Sequence, residues 1–463
     1  MQPAHGDILV EEIEGDTLTP ILIYQRLKGK KKFLFESSLK HEKSGRYSFI
    51  GADPIYEVKG FGGKTIVCKD EEEVLEKKPL EVIQERLTRY DHELLKAFPF
   101  TGGAVGYAGY DSIREYENIG SAQQDEMGVP DVYFMFFEEL AVFDHLEQKV
   151  FLLGIPMQSS QDELAIKIAA RIKEITEGAA EKTKNVAITN FKPMMEKHQY
   201  IAKVEKAKEY IVEGDIFQVV LSQRLTANID GDPFSFYRRL RVQNPSPYMY
   251  YIDFEDFIVA GASPESLVKV SGDKVITNPI AGTRPRGKTD QEDQLLEKEL
   301  AEDEKEMAEH RMLLDLGRND LGRVCTFGSV NVCKYMEIER YKHVMHLVSE
   351  VGGILKNGFS NVDALIACLP AGTVSGAPKI RAMEIINELE EVKRGIYSGA
   401  IGYFSANGNM DFALAIRTMV AKDNKVYIQA GAGIVHDSIP EKEYEETIHK
   451  LNAFLEADHD FIN

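Results

Sequence analysis

Apolar residues recur along this chain at two periods. From residue 1 to about 155 they form short β-type runs, at 33–36, 55–58, 131–137 and 150–153, split by glycine and aspartate turns. Helical spacing takes over at 160–178, where Leu164, Ile168, Ile172 and Ile175 make one stripe. Ser160 and Glu163 fit a capping box at its start, and Gly178 ends it. The polar, turn-rich stretch AAEKTKNVAITNFKP reads as a linker. It separates an N-terminal region, 1–185, from a larger region, 190–463. A helix with Tyr200, Val204, Ala207 and Ile211 on one face follows, stopped at Gly214, and the strand DIFQVVLSQRL comes directly after it. Beyond it, β runs at 256–261, 267–270 and 275–278 mix with helices over 290–317, 361–368, 379–390 and 438–456. That mixture predicts an α+β protein rather than an alternating βαβ series.

Two of those helices carry paired carboxylates. Glu306 and Glu309 are spaced i, i+3 and share a stripe with Leu313 and Leu316. Glu443 and Glu446 repeat the spacing, with Lys450 along the same edge, beside Tyr444, Ile448, Leu451 and Leu455. Carboxylates on a buried or half-buried stripe are costly unless a cation or donor satisfies them. An all-oxygen ligand set suits Mg²⁺ better than Zn²⁺. The spacing alone equally allows two solvated acidic faces.

Charge and cysteine usage narrow the class. The chain has 463 residues and a formal net charge of -20, which opposes binding to nucleic acid or to an anionic membrane. An anionic substrate would need local positive charge supplied by the site. The N-terminal stretch is acidic without an apolar core, so no signal peptide is expected, and no apolar run approaches a bilayer span. Cys68, Cys325, Cys333 and Cys368 lack CxxC spacing and read as reduced thiols in a cytoplasmic protein.

Small residues cluster in three further places. PIAGTRPRG places arginines beside a Gly-Thr turn as it leaves a strand, and AGTVSGAPK precedes a helix that opens near Pro378. In QAGAGI, Gly431 and Gly433 let a backbone come close to a ligand or simply pack tightly. None of the three matches a Walker loop or a dinucleotide fingerprint.

Taken together, GDIFQVVLSQ, NPSPYMYY, GASPES, PIAGTRPRG, EHRMLLDLGRNDLGRV, YKHVMHLVS, PAGTVSGAPKIRAM, IRT and QAGAGIV…PEKEYEET resemble, in order and spacing, the chorismate-utilising enzymes. The resemblance covers about 195 to the C-terminus and continues more weakly through FLFESS, GRYSFIG and FTGGAVGY. It is closest to the anthranilate synthase component I branch. It implies two large, mostly antiparallel sheets in a two-layer α/β sandwich enclosing a chorismate site. It further implies Glu309 and Glu446 as Mg²⁺ ligands, with Glu306 and Glu443 holding the metal's waters. His346, with Glu306 taking part, would serve the leaving hydroxyl as general acid, and Thr373 would complete the catalytic pocket. Gly282, Thr283, Tyr397, Arg417, Lys450 and the backbone of Gly431, Ala432 and Gly433 would bind chorismate. Because IRT follows the apolar run FALAI, Arg417 is expected to be shielded from solvent.

Two positions discriminate between sister activities. Isochorismate and salicylate synthases carry a water-activating lysine where this chain has Gln218, and aminodeoxychorismate synthases typically carry a lysine nucleophile where it has Ala281. Ammonia as direct nucleophile is what remains. Aminodeoxychorismate synthesis is the runner-up, and a catalytically silent tryptophan-sensing protein is the reading from another class. The resemblance also implies a tryptophan site at Ser37 with Pro247, Tyr248 and Met249. No Gly-x-Cys-x-Gly motif is present, so ammonia is expected from a glutamine amidotransferase subunit, in a heterotetramer with two of each chain.

Overall fold

A computed structural model describes residues 8–37, 45–341 and 344–455. Among them, two 12-stranded antiparallel sheets dominate. Strands from both ends of the chain enter both sheets. In the first sheet, Phe33–Glu36 pairs with Tyr248–Asp253, which leads through Ile258–Ser263, Thr418–Lys422 and Lys425–Ile434 to Gln218–Asp230. In the second, Gly103–Ala108 lies against Ala400–Ser405, which continues through Met410–Leu414, Ser266–Ser271 and Lys274–Thr277 to Val344–Ile354 and Ile280–Pro285.

The sheets face each other across an aromatic core. Phe33 and Phe49 of the first meet Phe137 and Tyr403 of the second, with ring centroids 4.8 and 6.0 Å apart. Aromatic pairs of this kind add to the area they bury. Helices cover the outer faces. Gln161–Glu177 and Pro233–Gln243 pack on the first sheet, and Pro79–Arg86, Glu304–Gly322 and Asn361–Cys368 on the second.

Local signals placed several ends correctly. The capping box at Ser160 is formed, and Gly214 ends Lys197–Glu213 in the left-handed region, at φ 87°. Gly178 also ends its helix, but in an extended conformation. Two expectations need correction. The second half of the expected linker is the strand Ala187–Pro193, paired with Gln218–Asp230 at the sheet edge. The stretch 290–317 is two helices, Asp290–Glu302 and Glu304–Gly322. Asp303 leaves the helical region (ψ 103°) and its carboxylate accepts from the Lys305 and Glu306 amides. Apolar spacing runs through such a break, so it shows only in the side-chain-to-backbone bond.

Candidate active site

One wall of the candidate site is the strand Gln218–Asp230, flanked by Lys425–Ile434 and the short strand Gly376–Ala377. Gln218 Nε2 donates to Glu309 Oε1 at 2.8 Å. Gly433 leaves room beside it: a Cβ there would lie 2.7 Å from the Gln218 amide nitrogen and would displace that side chain. Gly431 has a similar reason: its Cβ would stand 2.9 Å from the Tyr397 hydroxyl. Ala432, between them, lies opposite Leu221 in the ladder.

A second wall is the edge strand Ile280–Pro285, so PIAGT is itself strand rather than the exit from one. Its register shifts between Ala281 and Thr283, and Gly282 sits at φ 67°, a backbone state that glycine adopts without penalty. The bulge turns the Gly282 carbonyl towards His346 Nδ1, 3.1 Å away, with Thr283 Oγ1 at 3.0 Å. A carbonyl can only accept, so Nδ1 carries the proton and Nε2 presents its lone pair. Burial, the largest cause, pushes the His346 pKa down, so the imidazole is neutral near pH 7.

Glu306 and Glu309 are half-buried on the Glu304–Gly322 helix. Burial and then the neighbouring Glu309 raise the Glu306 pKa, partly offset by Arg284 at 3.5 Å. On the C-terminal helix, Pro440–Leu455, burial likewise raises Glu443, and Glu446 pairs with Lys450 at 2.8 Å. Lys450 also donates to the Gly431 carbonyl at 2.9 Å.

Between these walls lies the carboxyl of Glu265, in GASPES, to which the resemblance assigns no role. Glu265 is buried, and burial lifts its pKa to about 7 against the pull of Thr373, Lys450 and Arg417. Thr373 Oγ1 donates to it at 2.8 Å, from the turn Gly372–Val374. A glutamate in the short connection between the strands Ile258–Ser263 and Ser266–Ser271 was the signal available. Arg417 is reached by solvent, contrary to the expectation, yet it is surrounded by protein closely enough that desolvation lowers its pKa. Its left-handed backbone, φ 49°, stands between the apolar run and Thr418–Lys422, and its charge acts on Glu265 and His346.

A family profile described as chorismate binding enzyme matches residues 30–456. The chain belongs to this family. Anthranilate synthase component 1 of Lactococcus lactis subsp. lactis (strain IL1403) is 48% identical, covering 97% of this chain and 99% of that relative. Its counterpart from Acetivibrio thermocellus is also 48% identical, over 96% and 94%. The crystal structure of anthranilate synthase component I from Streptococcus pneumoniae TIGR4 superposes with a TM-score of 0.82 at 45% identity, covering 96% of this chain and 98% of that one.

In this chorismate binding enzyme the two glutamate pairs stand on separate helices, Glu304–Gly322 and Pro440–Leu455. Among the described residues no three His, Cys, Asp or Glu side chains come close enough to hold a metal. The donors are nonetheless all oxygen, and both Glu306 and Glu443 have raised pKa values, which a divalent cation between the pairs would relieve. The described cysteines are free thiols.

The implied effector residues meet elsewhere, between the sheets. Ser37, Pro247, Tyr248 and Met249 line one cavity of about 510 Å³, with Phe98, Tyr403 and Asp411. Tyr248 donates to Asp411 Oδ1 at 3.0 Å, and Arg241 holds the Glu36 carboxylate at its margin through two bonds. None of the chorismate-site candidates lines this cavity. No helix among the described residues is long and apolar enough to cross a membrane.

Proposed function

We propose that this chorismate binding enzyme converts chorismate and ammonia to anthranilate and pyruvate. The observation that carries the reading is Gln218. Its amide is bonded to Glu309 at the position where a lysine would activate water, so the site holds no base there to make hydroxide the nucleophile. Ala281, paired with Leu347, likewise offers no amine for a covalent route. Both aligned relatives named above are anthranilate synthase component 1 proteins, which supports the same choice.

Arg417 and Lys450 are assigned to the carboxylates of chorismate, Arg417 by a bidentate pair. Gly282, Thr283, Tyr397 and the 431–433 backbone shape the ring's seat. Glu309 and Glu446, with Glu306 and Glu443 through water, would hold Mg²⁺, which supplies Lewis-acid and orienting chemistry at the substrate carboxylate. Ammonia attacks the ring carbon vicinal to the ether, and the hydroxyl departs as water after taking a proton. Glu265 is the group that retains a proton near neutrality, so it is assigned as donor. His346 was the candidate donor on sequence. Neutral, with Nε2 as an acceptor, it is better suited to align the leaving hydroxyl and to take up a proton as pyruvate leaves and the ring aromatises.

The 1–185 region contributes the effector site and 190–463 the chorismate site in this reading. Tryptophan fits the cavity at Ser37 by its aromatic, partly charged lining. Ammonia comes from a glutamine amidotransferase subunit, two of each chain assembling in the cytoplasm.

The test is incubation of the chain with chorismate, Mg²⁺ and ammonium at alkaline pH. Fluorescent, aromatic anthranilate is expected. Accumulation of a non-aromatic amine that needs a separate lyase would identify aminodeoxychorismate synthesis instead.

A further inference from the structure

Arg394 is 1% exposed and uses every donor it has. Nε and Nη2 clasp Glu390 at 2.8 and 2.6 Å. Nη2 also donates to the Val220 carbonyl at 2.7 Å, and Nη1 to the Val374 carbonyl at 2.7 Å and Ser398 Oγ at 3.4 Å. The guanidinium carbon stands 4.8 Å from the centre of the Tyr110 ring and 5.7 Å from that of Tyr397. Glu390 is fixed in turn, with Oε1 accepting from the Ser222 amide and hydroxyl at 2.8 and 2.9 Å.

The acceptors belong to three separate segments, and each adjoins a group assigned to the chorismate site. Val374 follows Thr373 in its turn. Val220 lies on the strand that starts at Gln218. Ser398 follows Tyr397 and sits in the left-handed region, at φ 66°. The strand and the Thr373 turn also meet through the ladder of Gln218 and Val219 with Ala377 and Gly376 and through the Val220 amide, which donates to the Ser375 carbonyl at 2.9 Å; Arg394 ties both to the Tyr397–Ser398 segment. A buried ion pair is weak evidence for stability, because apolar side chains of the same volume often serve as well. Apolar side chains could not, however, fix three carbonyl and hydroxyl oxygens in one plane, which is what a rigid guanidinium fork does.

We propose that Arg394, oriented by Glu390, is a positioning residue that sets Thr373, Gln218 and Tyr397 in register with one another around chorismate. The proposal rests on the chorismate-site assignment above. Its consequence reaches Glu265 through Thr373. The groups that face Glu265 are Thr373, Lys450 and Arg417, and of these the Thr373 turn is the one bonded to Arg394.

The experiment compares wild type, Arg394→Lys and Glu390→Gln for chorismate turnover across pH, alongside thermal melting. Lysine keeps the charge but cannot make the fork. The expected result is a fall in kcat/KM of about tenfold to a hundredfold, the cost of small misplacements in a site. The pH limb of Glu265 should also move upward, because its carboxylate loses the Thr373 hydrogen bond. A role confined to stability would lower the melting temperature and leave that limb in place, which overturns the proposal. So does a kcat/KM within about twofold of wild type in both variants. If Arg394→Lys does not melt cooperatively, the isosteric Glu390→Gln decides by the same two readouts. Wild type that forms no anthranilate overturns the functional reading itself, a result distinct from active wild type matched by its variants.

Discussion

At the scale of single residues, Glu265 and His346 divide the proton work by environment. Glu265 stays protonated to about 7 because burial outweighs the nearby cations and the Thr373 hydroxyl. With free ammonia held constant, turnover should therefore decline as pH rises through that value, and Glu265→Gln should lower kcat by about 10²–10⁴-fold, the usual worth of a general acid. Stability carries the opposite face of the same shift. Between about 4.5 and about 7 the folded chain holds a proton that the unfolded chain has released. The folded state is then the one that loses ground as pH rises across that window. Denaturant titrations at several pH values should show Glu265→Gln removing this component of the slope. His346→Ala should lower kcat by about 10²–10⁴-fold while chorismate still binds, since Arg417 and the Gly282 bulge remain. A kcat within a few-fold of wild type would remove His346 from catalysis.

At the scale of elements, the metal assignment depends on where a helix begins. Asp303 separates two helices, caps the second and pairs with Arg284 at 2.7 Å, which also neighbours Glu306. Asp303→Ala should cost about 1 kcal/mol of stability, as loss of an N-cap does. It should also raise the Mg²⁺ concentration needed for half-maximal turnover while leaving the saturated rate nearly unchanged. Glu309→Gln or Glu446→Gln should instead abolish Mg²⁺-dependent turnover, because each removes a charged ligand that water cannot replace. Near-normal rates in both variants at ordinary Mg²⁺ would sink the ligand assignment.

At the scale of the molecule, the cavity at Ser37 lies between the two sheets, and its walls lead towards the chorismate site. The strand Ser266–Ser271 starts beside Glu265, and the Leu414 amide, at the end of Met410–Leu414, donates to the Glu265 carbonyl at 3.0 Å. Tryptophan bound there is expected to inhibit, and linkage requires chorismate to weaken tryptophan binding by the same factor. Ser37→Phe should fill the cavity and relieve inhibition while uninhibited turnover persists. Calorimetry of tryptophan binding with and without chorismate checks both. Indifference of wild type to millimolar tryptophan would disprove the site.

What the sequence determined by itself was local or chemical in kind. Period, capping and turn residues specified several elements to within a few positions, as at Ser160, Gly214 and Asn361–Cys368. The identities at 218 and 281 narrowed the reaction, because a glutamine or an alanine lacks the amine that the sister chemistries need, wherever it lies. Tertiary structure decided what depends on distant partners. The strand Ala187–Pro193 looks like linker until Gln218–Asp230 offers it a ladder, since edge strands need only one apolar face. Arg417 follows an apolar run, yet solvent reaches it while the surrounding protein still lowers its pKa by desolvation, a balance set by segments outside the run. The affinity of Glu265 for its proton comes from burial by segments far apart in the chain, and no spacing along a sequence encodes desolvation.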